Sequence, residues 1–198
     1  DVSRYPKKKN NKKKTKELKL VYGGNLGLPQ NPIMITKFIS KIELLDNISF
    51  KIIGSGTQFK FIESYILKNN INNTQIVRSL TKASYFEELD NSDVGLIFLN
   101  EKFTIPNYPS RLLDYLYFDL AILSNTDINT DITDFIKNAN VGKCFYGVQD
   151  LDNMITEIIK IKDSSAYLES FNHNSCKSMI KYFNIDTSFE LINKKIQK

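Results

Sequence analysis

Short apolar runs alternate with longer amphipathic segments along most of the chain. Runs such as Phe50–Ile53, Asp93–Phe98 and Ala121–Leu123 are too short for core helices, and such runs are typical of strands that a parallel sheet buries on both faces. Between the runs, apolar residues recur at three- and four-residue spacing, as in helices that pack one face on a sheet. The pattern therefore predicts an α/β fold: a Rossmann-like, doubly wound parallel sheet with additional C-terminal helices.

The pattern also sets approximate bounds for each element. The predicted strands are Leu18–Tyr22, Phe50–Ile53, Thr74–Val77, Asp93–Phe98, Ala121–Leu123 and, at the edge of the sheet, Gly142–Phe145. The predicted helices are one after Pro32, Phe59–Leu67, Ala83–Leu89, a short one after Pro109, Asp131–Lys137, Leu151–Ile161, Tyr167–Phe183 and Ser188–Ile196. Right-handed crossovers place the loop after every strand at one edge of the sheet, which is where ligands bind in such folds.

Four loops at that edge carry residues suited to contact a phosphate. They are 23–27, 54–56, 79–82 and 108–111. Glycine lets a ligand approach the backbone, and the start of a helix favours negative charge. Each loop taken alone is equally well explained as a tight turn, but their shared position favours a nucleotide site. The glycine spacing matches neither the dinucleotide fingerprint nor a P-loop.

The stretch 105–124 contains the residues best suited to such a site. Ser110 beside Pro109 predicts a capped helix start. Arg111 lies next to the free N–H groups there, and the Asp114 carboxylate follows one turn later. This arrangement suits a phosphorylated sugar or a nucleotide, and the alternative is an ordinary capped helix.

The charge is divided unevenly along the 198 residues. The net charge is +5, yet residues 1–19 hold nine basic and two acidic residues against 18 basic and 20 acidic in the remainder. The basicity thus belongs to a tail, which argues against a nucleic-acid partner. We expect residues 1–17 to be a basic linker and 18–198 to be one domain. Attraction of the tail to an anionic membrane surface is the alternative.

Composition excludes several other classes. A hydrophobic share of 41% and a charged share of 25% indicate a soluble globular chain, and no apolar run is long enough to cross a bilayer. Cys144 and Cys176 fit no metal spacing, so we expect buried thiols in a reducing compartment. His173 stands alone in a polar segment and is expected at the surface. No metal and no cofactor is predicted.

The chain resembles the C-terminal, donor-binding domain of GT-B glycosyltransferases, in the retaining group that builds bacterial capsule and lipopolysaccharide sugars (glycosyl transferases group 1). The resemblance covers about residues 18–162. It rests on Val21-Tyr-Gly-Gly-Asn-Leu-Gly27, Ile52-Ile-Gly-Ser-Gly56, Asp93–Phe98 and Pro109-Ser-Arg-Leu-Leu-Asp-Tyr115. The last is close to a Pro-Ser-Lys-Leu-x-Glu/Asp-Tyr variant of the family's donor motif.

The resemblance assigns a role to each matching position. Asp114 corresponds to the carboxylate that binds the donor ribose, and Ser110 with Arg111 corresponds to the diphosphate-binding segment. Gly24 and Asn25 match the loop that faces the phosphates and the donor sugar. The complete predicted substrate-binding set is Gly24, Asn25, Ser55, Leu80, Thr81, Lys82, Tyr108, Ser110, Arg111 and Asp114, with Leu80 and Thr81 beside the base.

This chain also departs from the family pattern at several positions. Pro106 stands where many members carry the first Glu of a Glu-x7-Glu motif, so no catalytic residue is assigned. Asn25 and Gln30 replace the usual Arg and Lys, and Asp119 replaces the usual glycine at the helix exit. These departures leave Arg111, with Lys82, to balance a diphosphate.

The resemblance implies a cytoplasmic transferase that moves a sugar from an NDP-sugar to a surface-polysaccharide acceptor. Peripheral contact with the inner membrane is the alternative that the basic tail leaves open. A UDP-sugar is the expected donor. A separate N-terminal acceptor-binding domain is implied as a partner, so this chain alone is expected to bind donor without turnover. One alternative is a non-catalytic nucleotide-binding or docking module of the same fold. A sugar-nucleotide epimerase is another, against which the Pro-Ser-Arg motif argues.

Overall fold

The computed structural model describes residues 5–6, 16–102, 108–183 and 193. Within that part of the chain, six parallel strands form one sheet in the order β3-β2-β1-β4-β5-β6. The strands are β1 Leu18–Asn25, β2 Ile48–Ser55, β3 Thr74–Val77, β4 Val94–Phe98, β5 Ala121–Thr126 and β6 Gly142–Tyr146. The helices are α1 Pro32–Ile42, α2 Phe59–Lys68, α3 Lys82–Asp90, α4 Arg111–Tyr117, α5 Ile132–Ala139, α6 Leu151–Asp163 and α7 Ser165–Phe183. The predicted Rossmann-like, doubly wound fold is confirmed.

Each face of the sheet is covered by its own apolar core, because successive side chains along a strand point to opposite faces. On one face, Leu20 and Tyr22 of β1 pack with α1, α2 and α6. On the other face, Val21 packs with α3, α4 and α5. The long helix α7 reaches both cores, with Phe171 in the first and Met179 in the second.

A crevice opens at the carboxyl edge where the strand order reverses. β1 pairs with β2 along its whole length, from Leu18 opposite Ile48 to Asn25 opposite Ser55. β1 pairs with β4 only through Leu20 and Val21. Beyond Val21 the two strands separate, so the end of β1 has a neighbour on one side only. This is the switch point at which doubly wound sheets bind ligands.

Most of the predicted element bounds agree with the structure to within three residues. β1 extends to Asn25 instead of ending at Tyr22, since the loop predicted at Gly23 begins as a strand paired with β2. The predicted helix 188–196 lies outside the described residues apart from Asn193. Cys144 and Cys176 are half-buried, so the prediction of buried thiols is wrong. The Cys144 thiol lies 3.7 Å from the carbonyl oxygen of Thr133 at the rim of the second core.

Candidate functional site

A cavity of about 580 Å³ lies at the switch point, over the carboxyl ends of β1 and β2. The starts of α3 and α4 close its sides. Its lining combines three glycines, three apolar side chains, two basic side chains and one carboxylate with hydroxyl and amide groups. The lining residues are Gly23, Gly24, Asn25, Ile53, Gly54, Ser79, Leu80, Lys82, Tyr85, Tyr108, Pro109, Ser110, Arg111 and Asp114.

Arg111 lines the cavity and carries a buried hydrogen-bond donor that has no acceptor. Its guanidinium lies over the Tyr22 ring, with the central carbon 4.4 Å from the ring centroid. The Nη1 atom is sealed from solvent and has no hydrogen-bond partner, and no described carboxylate forms an ion pair with the side chain. A buried donor without an acceptor is costly, so native proteins rarely leave one unless a ligand or water satisfies it.

The carboxyl end of β1 (Gly23–Asn25), together with the turn that follows it, is called the β1 loop here and is held in place by buried tyrosines. The Gly23 N–H donates to the Tyr115 hydroxyl at 2.8 Å, and that hydroxyl lies 3.3 Å from the Leu96 carbonyl, to which it donates. The Tyr22 hydroxyl donates to the Asn25 carbonyl at 2.7 Å. Burial raises the pKa of Tyr115, so the phenol stays neutral and can donate. The tyrosines therefore fix the backbone that faces the cavity.

Gly24 must be glycine for two reasons. Its φ is +120°, in the region that side chains rarely adopt. A Cβ there would also lie 3.1 Å from Nη2 of Arg111 and would crowd the guanidinium. The glycine thus lets the arginine lie directly under the loop.

Asn25 and Gln30 form a neutral hydrogen-bonded network at the edge of the cavity. The Gln30 Oε1 accepts from the Asn25 side chain and from the Gly27 N–H, both at 3.0 Å. The network is internally satisfied and supplies no positive charge. Lys82 and Arg111 are therefore the cations that line this cavity.

Asp114 faces the cavity from the first turn of α4. Burial raises the pKa of its carboxyl, and a hydrogen bond from Tyr5 and the charge of Lys82 act in the opposite direction. The Tyr5 hydroxyl donates to Oδ1 at 2.7 Å. The described residues thus supply a hydrogen-bond donor to one of the two carboxylate oxygens, Oδ1.

Eight of the ten predicted substrate-binding residues line the cavity together. Ser55 and Thr81 do not. The Ser55 hydroxyl accepts from Ser79 at the exposed rim, and the Thr81 hydroxyl accepts from the Ser84 N–H as the cap of α3. Ser110 lines the cavity, but its side chain makes no cap hydrogen bond, so the predicted side-chain cap of α4 is wrong. Its backbone is already helical, which places the hydroxyl away from the N–H groups it would cap.

The departures from the family pattern have differing structural outcomes. Asp119 adopts a left-handed φ of 53°, the conformation for which a helix exit usually needs glycine. Aspartate is one of the few side chains that tolerate it. Pro106 lies outside the described residues.

Two lining residues, Ile53 and Tyr85, lie outside every loop and site residue predicted from the sequence, and Tyr85 is the larger. It lies one turn after Lys82 in α3 and packs so close to Gly23 that a Cβ there would meet its hydroxyl. Burial raises its pKa well above the usual range, so it is a neutral hydrogen-bonding group. The three-residue spacing from Lys82 was the available signal, because it puts both side chains on one helix face.

Replacing Tyr115 with phenylalanine tests the support of the β1 loop. The ring would remain, but the Gly23 N–H and the Leu96 carbonyl would lose their buried partner. We expect the free energy of unfolding to fall by about 1–3 kcal/mol, the cost of leaving buried polar groups unsatisfied. Urea denaturation followed by circular dichroism measures it. Tyr65→Phe, on the opposite face of the sheet, should change little, and an equal loss in both variants would contradict this role.

Other chemistry considered from the sequence finds no support in the described residues. No group of three or more His, Cys, Asp or Glu side chains there could hold a metal ion. His173 is exposed and lies 2.8 Å from the Lys177 ammonium nitrogen on the surface of α7, as predicted. Of the helices in the described ranges, none is long and apolar enough to cross a membrane.

No protein-family model and no curated protein matches this chain. Solved structures do match. The C-terminal domain of LpcC, a glycosyl transferase group 1 family protein from Francisella tularensis, aligns with a TM-score of 0.68 at 8% identity, over 85% of this chain and 87% of that one. The pneumococcal O-GlcNAc transferase GtfA, in complex with UDP and GlcNAc, aligns with a TM-score of 0.71 at 15% identity. WaaG, a glycosyltransferase involved in lipopolysaccharide biosynthesis, aligns with a TM-score of 0.62 at 16% identity.

These likenesses show the fold, since the identities are low. The alignment with GtfA includes 92% of this chain but only 36% of GtfA, and the alignment with WaaG includes 82% of this chain but only 42% of WaaG. The neighbours are GT-B glycosyltransferases, and the coverage fits a C-terminal domain. The fold is thus that of one half of a two-domain glycosyltransferase.

Proposed function

We propose that this chain is the donor-binding half of a glycosyltransferase and that its cavity takes the diphosphate and ribose of a UDP-sugar. The observation that carries the proposal is Arg111, whose sealed Nη1 lacks an acceptor at a cavity that doubly wound sheets use for ligands. An anion would satisfy that donor. GtfA, which shares the fold, was solved with UDP, and this supports uridine as the base.

The charges of the lining suit a nucleoside diphosphate. Arg111 and Lys82 would balance the diphosphate, since arginine donates in a fork that matches phosphate oxygens. Gly23 and Gly24 would allow the phosphates to approach the backbone closely. Asp114, with an oxygen that no described donor occupies, would accept from the ribose hydroxyls. Leu80 and Ile53 offer apolar surface for the base.

The same groups would assist transfer of the sugar. Charge accumulates on the diphosphate as it leaves, and fixed cations stabilise that charge more in the transition state than in the ground state. We assign no catalytic base or nucleophile, and we propose no metal. The proposed reaction is hexosyl transfer, with retention, to an acceptor of the surface-polysaccharide type in capsule or lipopolysaccharide synthesis.

The domain boundary proposed from sequence is part of this function. Residues 18–198 would form the donor domain, and residues 1–17 would link it to an N-terminal acceptor domain. The partial coverage of WaaG and GtfA supports such a partner. The isolated chain would then bind a UDP-sugar and fail to turn it over.

UDP binding, with Asp114→Asn as the probe, tests the proposal. We expect saturable UDP binding in calorimetry and a loss of about 1–3 kcal/mol in the variant, because hydrogen bonds to a charged acceptor are worth about that much. Burial raises the pKa of Asp114, so its contribution to stability is greatest at low pH and lost as the pH rises through that raised value. The amide should therefore not lower the melting temperature at neutral pH.

Asp134→Asn is the matched control, since Asp134 also lies in the first turn of a short helix but is exposed and is not part of the cavity lining. It should bind UDP like the parent chain. GDP and inorganic pyrophosphate show how much of the affinity comes from the base and the ribose. A folded chain that shows no saturable UDP binding at millimolar nucleotide would contradict the proposal.

A further inference from the structure

Two residues of the basic segment 1–17 dock on the folded domain beside the cavity. The Tyr5 ring stacks on Tyr117 with centroids 4.2 Å apart and on Phe86 at 5.3 Å, and it meets Phe118 edge-on at 6.4 Å. The Pro6 carbonyl accepts from the Tyr117 hydroxyl at 2.6 Å. Aromatic contacts and a hydrogen bond therefore hold this short segment, which lies more than ten residues before β1, against α3 and α4.

The docked tyrosine reaches the cavity lining with its hydroxyl. Its hydroxyl donates to Oδ1 of Asp114 at 2.7 Å, while its ring lies among the aromatic residues behind α4. Tyr5 is not part of the cavity lining, whereas Asp114 is. A carboxylate has two oxygens and about four acceptor positions. The phenol thus takes up part of the carboxylate without filling the space in which a ligand would lie.

We propose that Tyr5 is a positioning residue for Asp114 and that it couples docking of the N-terminal segment to nucleotide binding. The inference rests on the proposed function of the cavity. Tyr5 fixes the carboxylate by Oδ1 and leaves Oδ2 directed to a ribose. When the segment detaches, the carboxylate loses its fixed orientation and the hydrogen bond that favours its ionised form.

Linkage gives this coupling a definite sign and makes it reciprocal. A hydrogen bond from a neutral phenol stabilises the ionised carboxylate, and the ionised carboxylate is the better acceptor for ribose hydroxyls. Segment docking should therefore strengthen nucleotide binding, and nucleotide should strengthen docking by the same factor. Any movement of the partner domain that pulls on this segment would then weaken the hold on the nucleotide.

The test is a double-mutant cycle on the full chain with Tyr5→Phe and Asp114→Ala, read by UDP calorimetry. Phenylalanine keeps the stacking and removes only the hydroxyl. We expect Tyr5→Phe to raise the Kd for UDP about five-fold, near the lower end of typical couplings. In the D114A background the same change should have less than about a two-fold effect, because the residue it acts through is gone. Tyr65→Phe is the matched control and should leave the Kd unchanged.

A second readout does not depend on nucleotide. A carboxyl NMR titration should show a higher pKa for Asp114 in Tyr5→Phe than in the parent chain. Lys82 is the other charged group that acts on this carboxyl, and Tyr85 and Tyr115 are neutral phenols beside it. These three are unchanged in the variant. A purely structural role for Tyr5 would leave the Asp114 titration where it was.

Three outcomes would overturn the inference. Equal UDP affinity of Tyr5→Phe and the parent chain would remove the coupling. Tighter binding by Tyr5→Phe would show that the phenol competes with the ribose. An unchanged Asp114 titration would show that the hydroxyl does not act on the carboxylate. Absence of UDP binding by the parent chain would contradict the proposed function instead, and the titration would still decide whether Tyr5 controls Asp114.

Discussion

Replacing Arg111 with methionine should abolish UDP binding while leaving the unliganded chain as stable as before. We expect a loss of about 2–5 kcal/mol of binding free energy, the range found when one partner of a buried charge pair is truncated. The free energy of unfolding should stay within about 1 kcal/mol, because the change removes a buried donor that lacks an acceptor and loses only the cation–π contact with Tyr22. Methionine keeps the apolar contact with Tyr22. Calorimetry and urea denaturation measure the two effects.

Two further variants separate charge from geometry. Arg111→Lys keeps the charge but loses the planar fork, so it should recover only part of the affinity. Arg78→Met is the matched control: Arg78 also lies over an aromatic ring, 4.7 Å from the centroid of Phe59, but it is not part of the cavity lining. Its loss should affect UDP binding little. If Arg111→Met bound UDP normally, or unfolded readily, Arg111 would be a structural residue and the proposed diphosphate site would be wrong.

The sequence predicts the fold well because the fold depends on a repeated local signal. Runs such as Ala121–Leu123 are apolar at every position. In a strand, such a run buries all of its side chains only when both faces of the sheet are covered. The structure buries all three side chains, with Ile122 on one face of the sheet and its neighbours on the other. The strand order comes from the structure, whereas the right-handed crossovers follow from a general rule of parallel sheets. No long-range information is needed for this step.

The site is only partly predictable, because its details depend on contacts between residues distant in sequence. The loops that follow strands could be assigned to one edge, so the shared position of Gly24, Lys82 and Arg111 was expected. The contact of Tyr5 with Asp114 spans 109 residues, and nothing in a lysine-rich segment signals it. Likewise, the Tyr115 hydroxyl supports Gly23 from 92 residues away. The spacing of residues within one helix indicates neither of these two long-range contacts.

The role of Gly54 is also invisible in the sequence, and it gives the largest expected effect on stability. Gly54 pairs with Gly24 across β1 and β2, and a Cβ on Gly54 would lie 1.9 Å from the Gly24 carbonyl oxygen. The Gly24 carbonyl is a backbone group, and a Cβ is fixed directly to the backbone of residue 54. Neither can move away without opening the pairing of β1 and β2. We expect Gly54→Ala to lower the free energy of unfolding by about 3 kcal/mol, the upper end of the usual cost of overpacking.

The position of this clash also makes it a test of the cavity. Gly24 faces both Gly54 and Arg111, so forcing the strands apart should displace the loop from the guanidinium and weaken UDP binding as well. Gly27→Ala is the control at the same edge. Its Cβ would meet only side-chain atoms, at 3.0 Å from Asn25 and 3.2 Å from Gln30. These can yield, and the alanine also reduces the entropy of the unfolded chain, so its stability should change by less than about 1 kcal/mol. Equal losses in the two variants would mean that the β1 loop adapts freely, and a loop that adapts freely could not keep the Nη1 donor of Arg111 without an acceptor until a ligand binds.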